Sequence, residues 1–358
     1  MAKQAKPEAP AKRRRASRAS GGPTMVKVAE LAGVSVFTVS AVINGSSAVS
    51  PDLRARVQEA VARSGYKRNA VARSLKTGRT MTIGVTIGNI TNPFYTDLVA
   101  AVQQVLHAAG YAMILCCNDG NLDLQREHVQ LLQDRMVDGL IMTPVGHDPQ
   151  LRAALEAFPA PIVLVDRLLE NFDSDAVLLD NRSAVSAAIR YLLSLGHRRI
   201  GYVSGPPDSF TGRERIAGFK EALAESKVKV EPELMQMGAF RTEEAYNAAL
   251  RLLMAPKRPT AIFSANNQMV IGIMRAIRDL GLACPADISV ATLDDFPWSS
   301  AFEPQLTTLA QPVATFAQRA AQLVLDRIKG EYAGPPRRVT LQGELKIRKS
   351  CRPLTESG

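Results

Sequence analysis

Met25-Val26-Lys27-Val28-Ala29-Glu30-Leu31-Ala32-Gly33-Val34-Ser35-Val36-Phe37-Thr38-Val39-Ser40-Ala41-Val42-Ile43-Asn44-Gly45 is the stretch that decides the architecture of the first part of the chain. Val28 and Leu31 stand three apart, as on one face of a helix running from Val26 to Ala32. Gly33 supplies a backbone that tolerates a tight turn. Ser35 is placed to cap a second helix, with Thr38 three residues on, and Val39, Val42 and Ile43 form its inward stripe. Val36, Phe37, Ser40 and Ala41 are left facing outward. Asn44-Gly45 ends this helix. Ser50 is then expected to cap, and Pro51 to begin, a third, whose Leu53, Val57, Ala60 and Val61 face inward until Gly65. Three short helices with a glycine turn between the first two make a helix-turn-helix, and an exposed apolar face on the second suits a reader of the DNA major groove.

The charge distribution points the same way. Residues 1–80 carry 16 Lys and Arg against 4 Asp and Glu, whereas the remainder carries 28 against 30, so the net charge of +10 sits at one end. A basic module on a near-neutral body fits a polyanionic partner, because each phosphate neutralised by Lys or Arg releases condensed counterions. Residues 1–24, with Arg13, Arg14, Arg15 and Arg18 among Ala, Pro, Ser and Gly, cannot bury enough apolar surface to order themselves. They are expected to form a disordered basic tail, either a source of extra phosphate contacts or an incidental extension. The 358 residues suffice for a small domain plus a two-lobed body. Cys116, Cys117, Cys284 and Cys351 include no CxxC pair, which fits a reducing cytoplasm better than a disulfide framework. Neither a run of about 18 apolar residues nor a basic start followed by an apolar segment is present, so no membrane span or secretory signal is expected.

Several short motifs together carry a resemblance: Val28-Ala29-Glu30-Leu31-Ala32-Gly33-Val34-Ser35, Thr38-Val39-Ser40, Asn44-Gly45, Gly65-Tyr66 and Asn69-Ala70-Val71-Ala72-Arg73-Ser74-Leu75. In combination they closely resemble the lactose-repressor (LacI/GalR) family of bacterial transcription regulators, over residues 25 to about 352. The resemblance implies that the second helix lies in the major groove of a near-palindromic double-stranded operator, with Val36 and Phe37 reading bases. Thr38, Ser40, Ala41, Asn44 and Tyr66 complete the contacts of the head. Many members carry Arg or His where this chain has Ala41, so a bidentate contact to guanine, worth about 1–3 kcal/mol, is not available there. Val36, Phe37 and Ala41 are instead expected to read thymine methyls, the alternative being that Phe37 packs within the domain. Asn69 to Leu75 is too short to be helical alone. By resemblance it becomes a hinge helix when two subunits meet on DNA, with Asn69, Ala72 and Arg73 at the duplex and Leu75 wedged between base pairs of the minor groove.

From Ile83 onward short apolar runs alternate with amphipathic stretches. Ile83–Ile87, Ala112–Cys117, Gly139–Thr143 and Pro161–Asp166 read as buried strands, and the rhythm restarts at Arg199–Ser204, Thr260–Ala265 and Ile288–Leu293. Helices are expected near Tyr95–Ala109, Leu124–Met136, Arg213–Glu225, Thr242–Met254, Gln268–Leu280 and Val313–Lys329, with final strands near Val339–Gln342 and Leu345–Arg348. Two parallel α/β lobes follow, and ligands bind such sheets outside the carboxyl ends of the strands. Those positions are polar or aromatic: Asn92-Pro93-Phe94-Tyr95, Asn118-Asp119, Asp166-Arg167, Asn266-Asn267-Gln268 and Asp294-Asp295-Phe296-Pro297-Trp298. Arg and Asn with carboxylates can satisfy vicinal hydroxyls, while Phe or Trp covers the apolar face of a sugar ring.

This part resembles the family's sensing domain, itself similar to periplasmic sugar-binding proteins whose two lobes close on a ligand. The resemblance assigns Arg213, Asn266 and Asp294 to a polar clamp, Asp166 and Arg167 to its first-lobe partners, and Phe240 to a wall; Asn92, Phe94 and Trp298 join them as effector contacts. Arg213 is alternatively a surface ion pair, and Arg215 is read equally as a helix-start ion pair or a ligand contact. Asn118 and Asp119 are read equally as a simple turn before Gly120. Asn267 sits where sugar-responsive members usually have Asp, and Phe296-Pro297-Trp298 is not a general family feature, so the effector's identity stays open; a sugar or, through Arg167, a sugar acid is expected. His107, His128, His147 and His197 have no metal-ligand spacing and stand near no nucleophile motif. No GxGxxG opens a helix, so neither an enzyme nor a cofactor or metal is expected. Leu306-Thr307-Thr308-Leu309-Ala310-Gln311-Pro312 resembles the family's return crossing between lobes.

The expected organisation is a basic tail (1–24), an all-α helix-turn-helix domain (25–68), a hinge helix and linker (69–80), an α/β two-lobed periplasmic-binding-protein-like effector-binding and dimerisation domain (81–352), and a short tail (353–358). The expected function is a cytoplasmic homodimeric regulator, a repressor or less often an activator, controlled by a carbohydrate-like effector.

Overall fold

In the head, Thr24 caps the first helix, α1 (Met25–Ala32), by accepting a hydrogen bond on its side chain from Lys27 N. The computed structural model describes residues 23–43, 45, 48–67, 74 and 77–354. The chain divides into two compact units between Arg73 and Ser74. Gly33 ends α1 in the left-handed conformation, φ 63°, its N–H reaching the carbonyls of Ala29 and Glu30. The chain then turns through 104° into α2 (Val36–Ile43). Ser35 Oγ accepts from Thr38 N at 3.1 Å, the expected cap. α3 (Pro51–Ser64) starts differently from expectation. Ser50 makes no side-chain cap bond there, and Pro51, whose fixed φ suits the first turn, begins the helix.

Val28, Val39 and Val57 are fully buried at the centre of the head, joined by Ala29, Ala32, Val42 and Ala60. Burying each valine contributes about 1.5–3 kcal/mol, an appreciable share of the stability of so small a unit. Leu31, expected inside, is 38% exposed. α1 instead turns Val28, Ala29 and Ala32 inward, since the closely packed helices leave room for alanines on that side. Arg56 on α3 donates from Nη2 to the carbonyl of Ala32 at 2.6 Å, satisfying an open carbonyl at the end of α1.

The body consists of two six-stranded sheets. The first runs β2 (Ala112–Cys117), β1 (Thr82–Ile87), β3 (Gly139–Met142), β4 (Ile162–Val165), β5 (Asp175–Leu179), β11 (Arg338–Leu341), all parallel. The second runs β7 (Met235–Met237), β6 (Ile200–Ser204), β8 (Ala261–Ser264), β9 (Ser289–Leu293), β10 (Thr307–Ala310), β12 (Glu344–Lys346), parallel except for the β10–β12 pair. The central strands of both sheets are buried on both faces, as parallel sheets covered by helices require. The chain crosses between lobes three times: from β5 into α7 (Asn181–Ser194), from β10 into α11 (Val313–Lys329), and from β11 into β12. The two final strands therefore close different lobes. Besides α7, the sequence reading lacked β5, β7, β10 and the short α6 (Pro149–Glu156).

Within the first lobe, charge ties α11 and the start of β11 to β5. Asp175, at the start of β5 with its side chain 1% exposed, receives Arg327 of α11 at 2.9 Å and Arg337, which precedes β11, at 3.2 Å. Burial alone would raise its pKa, but these guanidinium partners hold the carboxyl below its ordinary range. Among the described residues no single helix is long and apolar enough to cross a membrane.

Candidate DNA-reading face and effector cleft

α2 carries no charged side chain, and its outward face is apolar. Phe37 is 83% exposed and Val36 41%, with Ser40 and Ala41 half-buried beside them. Phe37 thus does not pack within the domain. Thr38 pairs its hydroxyl with Ser35 Oγ at 3.0 Å, and the half-buried Tyr66 packs against the core of the head. Such a face can meet thymine methyls by apolar contact but lacks the fork of donors that pairs with guanine. Asn44, Asn69, Ala72, Arg73 and Leu75, and with them the hinge helix, lie outside the described residues.

In the body a cavity of about 560 Å³ lies at the carboxyl ends of both sheets. Asp166 follows β4 and Asp294 follows β9, each in left-handed backbone, φ 69° and 74°. For non-glycine residues this costs about 1–3 kcal/mol and collects at ligand sites. The sheet ladders hold both turns, Asp166 N donating to Val177 O and Asp294 N to Leu309 O. Asp294 is buried, which pushes its carboxyl pKa up against the pull of Arg215 and Gln311. Gln311 donates to Asp294 at 2.6 Å. Asn266 caps α10 (Asn267–Asp279), accepting from Met269 N at 2.9 Å.

Phe240 forms a wall that has little freedom. Its φ is 59°, and a Cβ on Gly205 would lie 1.9 Å from its ring, so only glycine at 205 lets the ring stand there. The guanidinium groups of Arg167 and Arg215 lie 5.8 and 5.7 Å from the ring centre. Arg215, on α8 (Phe210–Glu225), is 4% exposed and donates to Asn181 Oδ1 and to the carbonyl of Ala265, both at 2.7 Å. Arg167 keeps its pKa raised even though burial works against it, because Tyr95 and Asp166 face it. Tyr95, buried on α4 (Pro93–Ala108), has its hydroxyl pushed up to about 12 by that burial.

Two bonds span the lobes at the cleft. Asn267 Nδ2 donates to Asn92 Oδ1 at 2.9 Å, the same oxygen that caps α4 through Phe94 N. Gln268 Nε2 donates to the carbonyl of Thr91 at 3.3 Å.

The structure thus brings Asn92, Phe94, Asp166, Arg167, Phe240, Asn266 and Asp294 to one cavity, and it corrects two residues. Arg213 does not line the cavity; its side chain is 45% exposed and reaches Glu170 at 3.7 Å. Arg215, two positions on, lines it instead. Trp298 is 40% exposed and tilts against Phe296 outside the lining, 4.8 Å between ring centres. Tyr95, Thr143, Thr211 and Gln311 also line the cavity, as do Asn118 and Asp119, which form their turn at the same time, Gly120 N donating to Asn118 Oδ1 at 3.2 Å.

Besides Arg167 Nε, which faces Asp166 at 3.4 Å, four buried polar atoms of that lining have no hydrogen-bond partner among the described residues: Asn118 Nδ2, Thr143 Oγ1, Thr211 Oγ1 and Gln311 Oε1. Leaving such a group unsatisfied costs about 1–3 kcal/mol, which makes their gathering at one cavity the mark of a surface built to be met by hydrogen-bonding groups. Among the described residues no group of three or more His, Cys, Asp or Glu is placed to hold a metal ion.

Comparison with known proteins agrees with this geometry. Residues 24–69 match the model for bacterial regulatory proteins of the lacI family, and residues 189–351 that for a periplasmic binding protein-like domain. The HTH-type transcriptional repressor PurR of Proteus mirabilis is 36% identical over 307 residues, 85% of this chain and 90% of the relative. The structure of the Lac repressor dimer bound to operator and the anti-inducer ONPF aligns with a TM-score of 0.83 at 28% identity, covering 92% of this chain and 99% of that one. The complex of the transcriptional regulator CelR with cellobiose aligns with a TM-score of 0.71 at 31% identity, over the same shares. A basic helix-turn-helix, a two-lobed body with a polar cleft and these likenesses together place the chain in the LacI family of bacterial regulatory proteins, as a DNA-binding transcriptional repressor and not an enzyme.

Proposed function

We propose that this repressor acts in the cytoplasm as a homodimer on a near-palindromic operator, and that a small carbohydrate-like effector held between its lobes sets its operator affinity. The observation that carries the effector reading is the set of unpartnered buried hydrogen-bonding atoms in the cavity that the fixed Phe240 ring also lines. Hydroxyls of a polyol, each both donor and acceptor, match such mixed groups, and an aromatic ring covers the apolar face of a sugar. Arg167 and Arg215 face Asp166 and Asp294, so the floor carries no excess positive charge, which favours a neutral sugar over a sugar acid. The CelR relative supports the reading by its complex with cellobiose.

At the DNA end, Val36, Phe37 and Ala41 read thymine methyls, and Asn69 to Leu75 coil into a hinge helix on the duplex with Leu75 as the minor-groove wedge. Lobe closure changes the spacing of the two hinges and hence the stability of that folded form. By linkage, operator DNA changes effector affinity by the same factor as the effector changes operator affinity.

The test is a thermal-shift and calorimetric panel of neutral sugars, sugar acids and nucleobases, followed by operator binding with each hit. A ligand at about 100 times its Kd adds about 2.7 kcal/mol of stability. Stabilisation by a neutral sugar that also shifts operator affinity is the expected result; binding of nucleobases alone would replace the carbohydrate reading.

A further inference from the structure

We propose that α11 couples the floor of the cleft to the point where the hinge segment leaves the body, through a socket formed by Arg79, Asp138 and Gly139. The inference rests on the coupling of effector and operator proposed above, whatever the effector's chemistry, and gives that coupling a route. α11 spans 17 residues, about 25 Å at about 1.5 Å each. Its beginning is tied to the cleft. Gln311, two residues before it, comes off β10 of the second lobe, lines the cavity and donates to Asp294 at 2.6 Å. Phe316, fully buried in the first turn, meets the cavity-lining Phe94 edge to face, 6.2 Å between ring centres. The rest of the helix packs in the first lobe, on β3, β4 and β5. A shift of one lobe against the other therefore acts on the start of α11, and a hydrogen-bonded helix passes that shift along its length.

The far end of α11 reaches the chain that leads to the hinge. A Cβ on Gly139 would lie 2.6 Å from Val324 Cγ2 and 3.0 Å from Ile328 Cδ1, so glycine there lets the last turns of α11 seat closely on the start of β3. Carbonyls in the last turn of a helix lack partners within it. That of Ile328 accepts from Arg79 Nη2 at 2.8 Å. Asp138, next to Gly139, grips the two residues that follow Arg79, its Oδ1 accepting from Thr80 N and its Oδ2 from Met81 N, both at 2.8 Å. Thr80 Oγ1 donates to the carbonyl of Met136, in the turn after α5 (Leu122–Asp134), at 2.9 Å. Just before the socket Gly78 takes left-handed backbone, φ 66°, its N–H donating to Ser74 O at 2.8 Å. Residues 78–81 thus fix the direction in which the chain leaves the body, and the end of α11 is part of what holds them.

The experiment uses operator DNA as its probe, since by linkage a cleft that acts on the hinge is acted on in return. Amide hydrogen exchange is followed by mass spectrometry on the full-length repressor, alone and saturated with a duplex that the parent selects from random sequence, with a scrambled duplex as control. The measurement is repeated with Arg79→Met, Asp138→Asn and Arg79→Lys. In the parent the selected duplex should change exchange in residues 290–297 and 306–316, at the cleft end of α11, by about threefold or more, and the scrambled duplex should not. Arg79→Met keeps the stem and removes the donors; Asp138→Asn turns one of two acceptors into a donor facing an N–H. Each should hold the change in those residues below about 1.5-fold while the selected duplex still saturates the protein. Arg79→Lys, which keeps a donor and a charge at the end of α11, should restore most of it. A parental response in both Arg79→Met and Asp138→Asn overturns the route through α11. Loss with Arg79→Met alone overturns the socket and assigns Arg79 to a phosphate contact, which Asp138 cannot make. If the parent's own cleft does not respond to its operator, the coupling proposed above falls and this route with it.

Discussion

On α2 of the head the bulky Phe37 is 83% exposed, whereas in the body Asp166, Arg215 and Asp294 are each 6% exposed or less. Each region inverts the ordinary rule of burial in the direction its partner requires. A duplex can offer thymine methyls and groove walls to an apolar face, and the polyol proposed above as effector would offer hydroxyls to buried charge. The head is also small enough that its reading face costs no fold stability, since Val28, Val39 and Val57 form the core without it. In the cleft the same residues serve site and fold. Substitutions in the head should therefore separate binding from stability, and those in the cleft should not.

The largest effect tests the cleft side of this contrast. Arg215→Ala removes a buried guanidinium from Asn181 Oδ1, the Ala265 carbonyl and the neighbourhood of Asp294. Breaking one partner of a buried charged network costs about 3–5 kcal/mol. Chemical denaturation should show a loss of that size together with loss of effector binding. A variant of parental stability would show that cleft and fold are separable after all.

Phe37→Ala tests the other side. Removing the contact area of one phenylalanine should cost about 1.5–3 kcal/mol of operator binding, roughly tenfold or more. Folding stability should change by less than about 0.5 kcal/mol, as for exposed substitutions elsewhere. Fluorescence anisotropy on operators with thymine or uracil in the half-sites sharpens the point. The parent should lose affinity when the methyl is removed at one position, and the variant should be indifferent there.

How much of this was legible follows from the same contrast. The three head helices are written in local signals, Gly33 and Gly65 in left-handed turns and Ser35 as a cap, and the structure places them within a residue of the spacing. The strand runs of the body were equally plain where β-branched and aliphatic residues cluster. β5 was not, because Asp-Ala-Val-Leu-Leu is short and its charged start pairs only with Arg327 and Arg337, more than 150 residues away in sequence. The exchange of Arg213 for Arg215 is a matter of helical phase. Residues two apart on a helix face nearly opposite ways, so only one of the pair can enter the cleft. The buried stripe Thr211, Arg215, Phe219 and Ala222 decides for Arg215, and Phe219, Ala222 and Leu223 carry that phase in the sequence itself. α7 is a similar case, its stripe of Ala184, Val185, Ala188, Ile189 and Leu192 having the helical period throughout. Gln311 Oε1 and Thr143 Oγ1, which lack partners among the described residues, had no such signal, since their burial depends on strands from distant parts of the chain.

Adjacent aspartates narrow the comparison to a single loop. Asp294 faces the cleft and burial raises its pKa, while Asp295 faces away to Arg348, Lys346 and Thr308, which hold its pKa down to about 2 despite burial. A carboxyl with depressed folded pKa contributes stability that is complete above its ordinary value near 3.8 and is lost as pH falls toward 2. Asp295→Asn should therefore lower stability at neutral pH by about 2 kcal/mol and flatten the acid limb between pH 4 and 2. Asp294→Asn should weaken effector binding and leave that limb as it is.

The smallest expected effect falls on a buried group with no part in either site. His197 is fully buried, its Nδ1 2.9 Å from Thr260 Oγ1 and its Nε2 3.1 Å from the carbonyl of Arg352, so it ties the end of the chain to the second sheet. Burial depresses its pKa below 6.5, against the pull of the Arg352 carbonyl. The neutral ring is the one that fits, and the unfolded chain takes up the proton first as pH falls. Its contribution is thus complete above about pH 6.5 and declines below it, the same direction as for Asp295 but in a higher window. Thermal melts from pH 7.5 to 5.5 should show a fall of no more than about 2–4 °C, the shift that about 1 kcal/mol produces in a unit of this size. His197→Gln, which cannot take up a proton, should remove the slope while operator and effector affinities stay at parental values. A slope that survives the substitution would assign it elsewhere, and a change in operator affinity would mean that burial in the body is felt at the head even away from the cleft.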